Sequence, residues 1–422
     1  VLVEHRNVTA IVEAQLQIFK LNLSSRVMQM LSLSFDAALG EIFRAIAAGA
    51  TLVLAPREEL MPGPGLIEML RNRGITAAAF PPALLGALPE EASSQLPALT
   101  TMVMGGEACP PQVARRWGES RLLLNGYGPT ETTIGATLGT GWKLDEKPPL
   151  GRPLANVCVY VLNEHLQPLP VGVPGELYIG GVGVTRGYLN RPELTEEVFL
   201  DDPFAKAAGA RMYRTGDRCR WLATGQLDYL GRRDAQVKIR GYRIEPGEVA
   251  TVMQQHPGVG QCVVHVRKDR GVTRLVGYAT ANPETTEVTN SSLRAFAKDR
   301  LPEYMVPAVF MILPSIPTTP NGKTDYKALP RPDMNLLISE AEYVAPRNNL
   351  EFKLAGIWQQ TLGLHQVSIH ANFFELGGDS ILSVQIVARA TEAGITITVK
   401  DIFQRQTIAE LATCATFGTV VS

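Results

Sequence analysis

Apolar positions in the first 150 residues recur first at helical and then at strand spacing. Over Phe35 to Gly49, Ala38, Ile42, Ala45 and Ile46 mark a helix that Gly49 stops, and Thr51–Ala55 reads as a short buried strand. A helix near Gly65–Asn72, a strand over Ile75–Phe80 and another over Thr101–Met104 continue the alternation. Strands alternating with helices predict a largely parallel sheet covered on both faces, with ligands beyond the carboxyl ends of its strands.

From about Gly151 the period shortens to that of strands, as in Val157–Leu162 and Gly175–Gly180, predicting a β-rich subdomain over about 151–230. Mixed α and β patterning over about 234–332 ends in a Pro-rich exit, Leu313–Pro320, and a linker over 333–347. Beyond it, residues 348–422 carry two amphipathic helices, one marked by Leu350, Leu354, Ile357, Trp358 and Leu362, the other by Leu382, Val384, Ile386 and Val387. That pattern predicts a small all-α bundle.

Charge removes whole function classes. The 422 residues hold 40 basic and 41 acidic side chains, which leaves no excess for a nucleic-acid backbone. No apolar run reaches the length of a membrane span, and charged residues stand in VLVEHRNVTA where a signal peptide needs apolar ones. Five scattered cysteines without metal-type spacing indicate reduced thiols and a cytoplasmic setting.

Candidate chemistry concentrates in Tyr213–Glu248. A Gly turn before Asp217, a strand over Gln226–Leu230, the Arg232-Arg233-Asp234 turn and an alternating strand over Gln236–Arg240 crowd charges that need a ligand, a partner or water. A second candidate is Ser380, after a Gly-Gly turn and with Asp379 as a plausible helix cap.

Nine motifs in order carry a resemblance: SFDAALGE (from Ser34), GGEA (from Gly105), NGYGPTE (from Asn125), GELYIGG with GVTRGYL (from Gly175), YRTGD (from Tyr213), GRRDAQVKIRGYRIEPGE (from Gly231), LPEYMVP (from Leu301), NGKTDY (from Asn321) and FFELGGDS (from Phe373). Together they resemble an adenylation domain of a nonribosomal peptide synthetase, in the adenylate-forming superfamily, followed by a peptidyl carrier domain. The resemblance implies an α/β remnant of the large adenylation core with its β-rich subdomain (1–233), a small α+β subdomain (234–332) and a four-helix carrier bundle. The implied chemistry is ATP- and Mg²⁺-dependent activation of an amino acid as its adenylate, then transfer to 4′-phosphopantetheine, with charge developing on phosphate oxygens.

Roles follow by motif. Asp36 matches the carboxylate that pairs with the substrate ammonium, a helix N-cap being the alternative. Gly105, Gly106 and Glu107 resemble the turn at adenine, Asn125 and Tyr127 its bonding and stacking positions. Gly128 belongs to the same nucleotide-binding motif, Thr130 resembles a phosphate contact and Glu131 the Mg²⁺ ligand. Asp217 resembles the ribose acceptor and Arg232 the nucleotide-contacting arginine. Lys323 matches the lysine bridging carboxylate and phosphate, Asp234 the hinge, Lys238 a residue of the face shown to the carrier in the second step, and Gly241 the pantetheine tunnel. Ser380 resembles the phosphopantetheine attachment site. Ala37, Gly40, Ala79, Val103, Gly105, Gly126, Ile134 and Gly135 are expected to line the side-chain pocket. That lining is uncharged, and Gly40 leaves room, so an apolar or aromatic substrate side chain is expected.

Two departures stand out. Relatives carry a Ser/Thr/Gly-rich phosphate loop ending in Pro-Lys-Gly ahead of a segment resembling VLVEHRNV, so the sequence as given is expected to be incomplete for adenylation. Ser34 also replaces a frequent His. The resemblance further implies a phosphopantetheinyl transferase, neighbouring condensation, thioesterase or tailoring domains, and a small MbtH-like protein as partners. An acyl- or aryl-acid ligase of the same superfamily and a non-adenylating carrier or docking fragment are the alternatives.

Overall fold

A computed structural model describes residues 1–56, 59–233, 236–239, 242–269, 272–282, 288–319, 324–332, 343–374, 376–378 and 380–417. The chain forms two compact units, Val1–Asp234 and Ala235–Ser422.

The first unit opens with helix α1 (His5–Phe19) and continues through β1 (Arg26–Met28), α2 (Asp36–Ala47), β2 (Thr51–Val53), α3 (Pro64–Asn72), β3 (Ala77–Phe80), α4 (Pro82–Ala87), β4 (Thr101–Gly105), α5 (Pro111–Gly118), β5 (Leu122–Tyr127), β6 (Thr137–Gly139) and β7 (Arg152–Pro153). Its seven-stranded sheet has the order β2-β1-β3-β4-β5-β6-β7. Strands β1 to β5 are parallel and β6 and β7 antiparallel. Short strands with every side chain buried, such as Ala77–Phe80, are what a sheet covered on both faces requires. Met28, Phe80, Met102, Met104 and Trp117 anchor the core on one face.

Helix α2 departs from its apolar pattern. Ala38 and Ala45 are buried as expected, but Ile46 is 64% exposed and Glu41 and Arg44 are buried instead. The apolar stripe therefore gives only one edge of the inward face, which is turned toward Gly40, Glu41 and Arg44 because the two charged side chains have polar neighbours inside.

The β-rich part is a five-stranded antiparallel sheet of β8 (Val157–Leu162), β9 (Gly175–Gly181), β10 (Phe199–Asp201), β11 (Arg211–Trp221) and β12 (Leu227–Arg232), with α6 (Pro192–Val198) before β10. The segment Thr215-Gly216-Asp217 is not a turn, as its glycine suggested, but lies inside the eleven-residue β11 where the register to β9 shifts. Gly216 takes φ 73° there, a bulge that re-aims Asp217.

In the second unit β13 (Val237–Ile239) and β14 (Tyr242–Ile244) form a hairpin. Helices α7 (Pro246–Met253) and α8 (Asn290–Arg300) accompany a three-stranded sheet of β15 (Val259–Asp269), β16 (Val272–Ala281) and β17 (Val309–Ile312), with Val249, Met253, Leu293 and Phe310 in the core. The C-terminal region packs the helices Asn349–Leu362, Ser380–Glu392, Val399–Gln404 and Ile408–Leu411 around Trp358 and Phe373, whose rings meet edge to face at 5.0 Å. It is not purely helical, since Ile395–Thr396 pairs with Thr416–Phe417. Two glycines shape the approach to Ser380: Gly377 has φ 86°, and a Cβ on Gly378 would stand 2.5 Å from Phe373.

No helix among the described residues is long and apolar enough to cross a membrane.

Candidate active site

The first unit gathers most of the expected nucleotide and substrate residues where β4 and β5 end, as the parallel sheet predicts. Gly105 and Gly126 lie side by side on these strands, and a Cβ on Gly105 would stand 2.9 Å from the Gly126 carbonyl oxygen. Gly106 follows with φ 83°, and the Glu107 carboxylate accepts from the Ala83 backbone N–H at 2.7 Å. That bond ties the turn to the start of α4.

The loop from Gly128 to Gly135 is compressed. A Cβ on Gly128 would lie 2.5 Å from the Gly135 Cα, so only glycine lets the two ends of the loop touch. Thr133 and Ile134 both adopt positive φ, 63° and 67°. For a β-branched isoleucine this is a strained conformation, held here by the Thr133 hydroxyl donating to the Gly183 carbonyl at 2.7 Å. The strain turns the Ile134 N–H onto the Asp36 carboxylate at 3.2 Å. Burial raises the pKa of this carboxylate above the ordinary value, against the neighbouring Thr130 and Ile134, and the nearby Glu131 charge adds to the rise. Asp36 is not the N-cap of α2: that position is Phe35, and Asp36 stands in the first helical turn. Among the described residues no cation reaches it.

Glu131 is buried and accepts from the Tyr188 hydroxyl at 2.6 Å, while burial, chiefly, pushes the Tyr188 pKa up. Tyr188 is absent from the residues expected at the site; its place in GVTRGYL is the one sequence signal that points to it.

Asp217 and Arg232 are direct cross-strand partners on β11 and β12, and the Arg232 Nη1 donates to Asp217 Oδ1 at 2.9 Å. The Tyr127 hydroxyl donates to the other carboxylate oxygen. Tyr127 itself is buried in the apolar cluster with Ile11 and Leu138, and burial first, then the Asp217 charge, raise its pKa well above normal. Asn125 donates from Nδ2 to the Pro149 carbonyl at 2.8 Å, which leaves its amide oxygen as an acceptor.

The expected side-chain pocket is only partly as predicted. Ala79, Val103 and their neighbours line a small cavity, but Glu41 and Arg44 line it too. A Cβ on Gly40 would lie 2.8 Å from Arg44 Nη1 and 3.0 Å from the Ile134 side chain, and one on Gly135 would lie 2.8 Å from Gln15 Nε2. The room inferred beside Gly40 is thus filled by a guanidinium, and the premise for a large aromatic substrate fails. Residues Asp36, Gly40 and Arg44 are spaced i, i+4, i+8 on α2, a relationship legible in the sequence once the helix is placed. Ala37, next to Asp36, stands in the first turn of the same helix.

Asp234, Gly241 and Lys323 lie outside the described residues, as does Asp379. Lys238 is in β13 opposite Arg243, and Ser380 opens the helix Ser380–Glu392; the side chains of both are outside the described residues.

These residues fit the groups the resemblance implies. Asp217 accepts two bonds, and a carboxylate has about four lone-pair sites, which leaves two for a vicinal diol. Among the described residues no cluster of three or more metal-ligating side chains exists, and Mg²⁺ usually takes one or two carboxylates plus phosphate oxygens, a pattern the single Glu131 matches.

Comparison with known proteins agrees along the chain. The family model described as AMP-binding enzyme matches residues 1–189, that of the AMP-binding enzyme C-terminal domain 248–323, and that of the phosphopantetheine attachment site 353–415. The chain is 45% identical over 413 residues to bacitracin synthase 3 of Bacillus licheniformis, covering 98% of this chain and 6% of that protein. It is 43% identical to the phosphinothricin tripeptide synthetase PhsC of Streptomyces viridochromogenes, over 98% of this chain and 38% of the relative. The chain thus spans a small part of its curated relatives. Among solved structures, holo-PA1221, an NRPS protein containing adenylation and PCP domains bound to a vinylsulfonamide inhibitor, matches with a TM-score of 0.76 and 29% identity, over 93% of this chain and 65% of that one. The Vibrio cholerae adenylation domain AlmE, in complex with glycyl-adenosine-5′-phosphate, matches at 0.65 and 26%, over 80% of this chain and 63% of that one. With three matching regions in this order, the chain belongs to the adenylate-forming enzymes, as an adenylation segment of a nonribosomal peptide synthetase joined to its phosphopantetheine carrier domain.

Proposed function

We propose that the protein containing this chain activates an amino acid with ATP and loads it onto its own carrier domain. An oxygen of the substrate carboxylate attacks the α-phosphorus and pyrophosphate leaves. Ser380 would hold the phosphopantetheine arm, whose thiol would take the aminoacyl group from the adenylate and release AMP.

The observation that carries this reading is Asp36, a half-buried carboxylate bonded to the Ile134 N–H, with no cation near it among the described residues. Such a charge is costly until a cation joins it, and an α-ammonium is the cation an amino-acid site supplies. Asp217 takes the ribose hydroxyls, steadied by Tyr127 and Arg232. In this reading the Gly105–Glu107 turn and the free amide oxygen of Asn125 would meet adenine, Thr130 would meet a phosphate, and Glu131 would hold Mg²⁺. Lys323 bridges carboxylate and phosphate in the first step. Rotation about Asp234 withdraws it and brings Lys238 and Gly241 to the carrier arm on Ser380. Catalysis is positioning and charge stabilisation.

The uncharged lining at Ala37, Ala79, Val103 and Ile134 suits an apolar side-chain stem. Residues 1–233, 234–332 and 348–422 act as large adenylation part, small rotating subdomain and carrier, joined by 333–347, in the cytoplasm. Partners are a phosphopantetheinyl transferase, adjacent synthetase domains and an MbtH-like protein.

Amino-acid-dependent ATP–pyrophosphate exchange in the complete protein tests the reading. Exchange that Asp36→Asn abolishes for free amino acids supports it; exchange driven by acids lacking an α-amino group would replace it with an acyl- or aryl-acid ligase.

A further inference from the structure

Helix α2 runs along the expected substrate site with Asp36, Gly40 and Arg44 on one face, one turn apart. Arginine side chains on a helix lean toward its N-terminus, and the Arg44 guanidinium accordingly lies over Gly40, its Nη1 2.8 Å from where a Cβ would be. A side chain at residue 40 would displace the guanidinium from this position and press on Ile134 Cγ2 at 3.0 Å. The same nitrogen donates to Gln15 Oε1 at 2.6 Å, and the guanidinium stands 4.4 Å from the Phe19 ring centroid.

Arg44 is 5% exposed, yet among the described residues it makes no ion pair, and its one hydrogen bond goes to a neutral amide. Glu41 attracts it without touching it: Glu41 Oε2 accepts from the Met30 and Leu31 N–H groups, each at 3.1 Å, and burial holds this acid's pKa up at about 7, so near neutrality it is an incomplete counter-ion. A buried guanidinium without an anion costs several kcal/mol unless a bound anion completes it. Asp36 presents the mirror-image deficit on the same face, two helical turns away along α2 at roughly 5.4 Å per turn.

We propose that Arg44 is the specificity-determining residue of the amino-acid site and that the activated substrate is a monoaminodicarboxylic acid of glutamate length. The α-ammonium pairs with Asp36 and the side-chain carboxylate with Arg44, whose guanidinium leans back over Gly40 and so closes one of the two turns between them. Gln15 positions the guanidinium, and Gly40 and Gly135 make space for the two polar side chains. Aspartate is too short to span the remaining turn. The inference rests on the activation reading given above.

The test is pyrophosphate exchange in the complete protein with glutamate, aspartate, glutamine, leucine, phenylalanine and glycine. Glutamate should lead. In Arg44→Met, which keeps the volume and loses the charge, kcat/KM for glutamate should fall roughly 100-fold while that for glutamine or leucine rises. Thermal stabilisation by glutamate, present in the natural protein and absent in Arg44→Met, gives an independent reading. A preference of the unaltered protein for leucine, phenylalanine or glycine overturns the assignment while leaving amino-acid activation intact. Exchange with no amino acid overturns activation itself, and this proposal with it.

Discussion

Asp217 and Arg232 face each other across β11 and β12, joined by a 2.9 Å hydrogen bond, with side chains only 5% and 11% exposed. The bulge at Gly216 turns this carboxylate inward, and the Tyr127 hydroxyl takes its second oxygen. Replacing Arg232 by Met leaves a buried carboxylate with one neutral donor, and removing one member of a buried pair costs about 3–5 kcal/mol. Urea denaturation should show a loss of that order, with Tyr127→Phe costing about 1–3 kcal/mol. Unchanged midpoints in both variants would show that the pair is solvated.

The proposed binding role of Asp36 and its effect on stability pull in opposite directions. Burial raises its folded-state pKa above the unfolded value, so its ionisation opposes folding, and stability is lost as pH rises from the unfolded pKa through the folded one. Asp36→Asn should therefore leave the fold as stable or more stable at neutral pH while losing amino-acid binding. A variant that melts lower would mean that the carboxylate is chiefly a structural acceptor for Ile134 and the Thr130 loop.

Glu41 gives a pH signature in a defined window. Its pKa rises from 4.5 to about 7, so between these values the unfolded chain releases a proton that the folded chain keeps. Stability falls across that window and levels off above it, by roughly 3 kcal/mol at most for this group. Glu41→Gln retains an acceptor for the Met30 and Leu31 N–H groups and should flatten the profile between pH 4.5 and 7. Parallel profiles for the two proteins would refute the burial argument.

Gly128 tests the compressed loop. A methyl group there would press on Gly135 Cα at 2.5 Å, backbone against backbone, where no side chain can move aside. Overpacking of this kind costs about 1–3 kcal/mol, and the displaced loop carries Thr130, Glu131 and the Ile134 N–H. Gly128→Ala should lower thermal stability and raise KM for both ATP and amino acid. Gly247→Ala, in open space on α7, is the matched control and should change neither.

The sequence by itself determined the order of elements and the two kinds of sheet, and it marked the motif residues that the first unit gathers at the ends of β4 and β5. Alternation and motif order depend on local periodicity and on short segments whose residue types are dictated by backbone and ligand geometry. Gly105 and Gly128 are legible as glycines for this reason. Tertiary structure alone decided which face of α2 points inward: the apolar stripe through Ile42 and Ile46 marked only one edge of it, and burial turned it toward Gly40, Glu41 and Arg44. It alone made Thr215-Gly216-Asp217 a bulge and brought Tyr127 to Asp217 across 90 residues of chain. A pocket's charge depends on groups that meet through space, and Gln15, Arg44 and Gly135 come from three separate segments. The i, i+4 spacing of Gly40 and Arg44 is local, but only the burial of their face, against Gln15 and Phe19 of α1, shows that the guanidinium stays over the glycine.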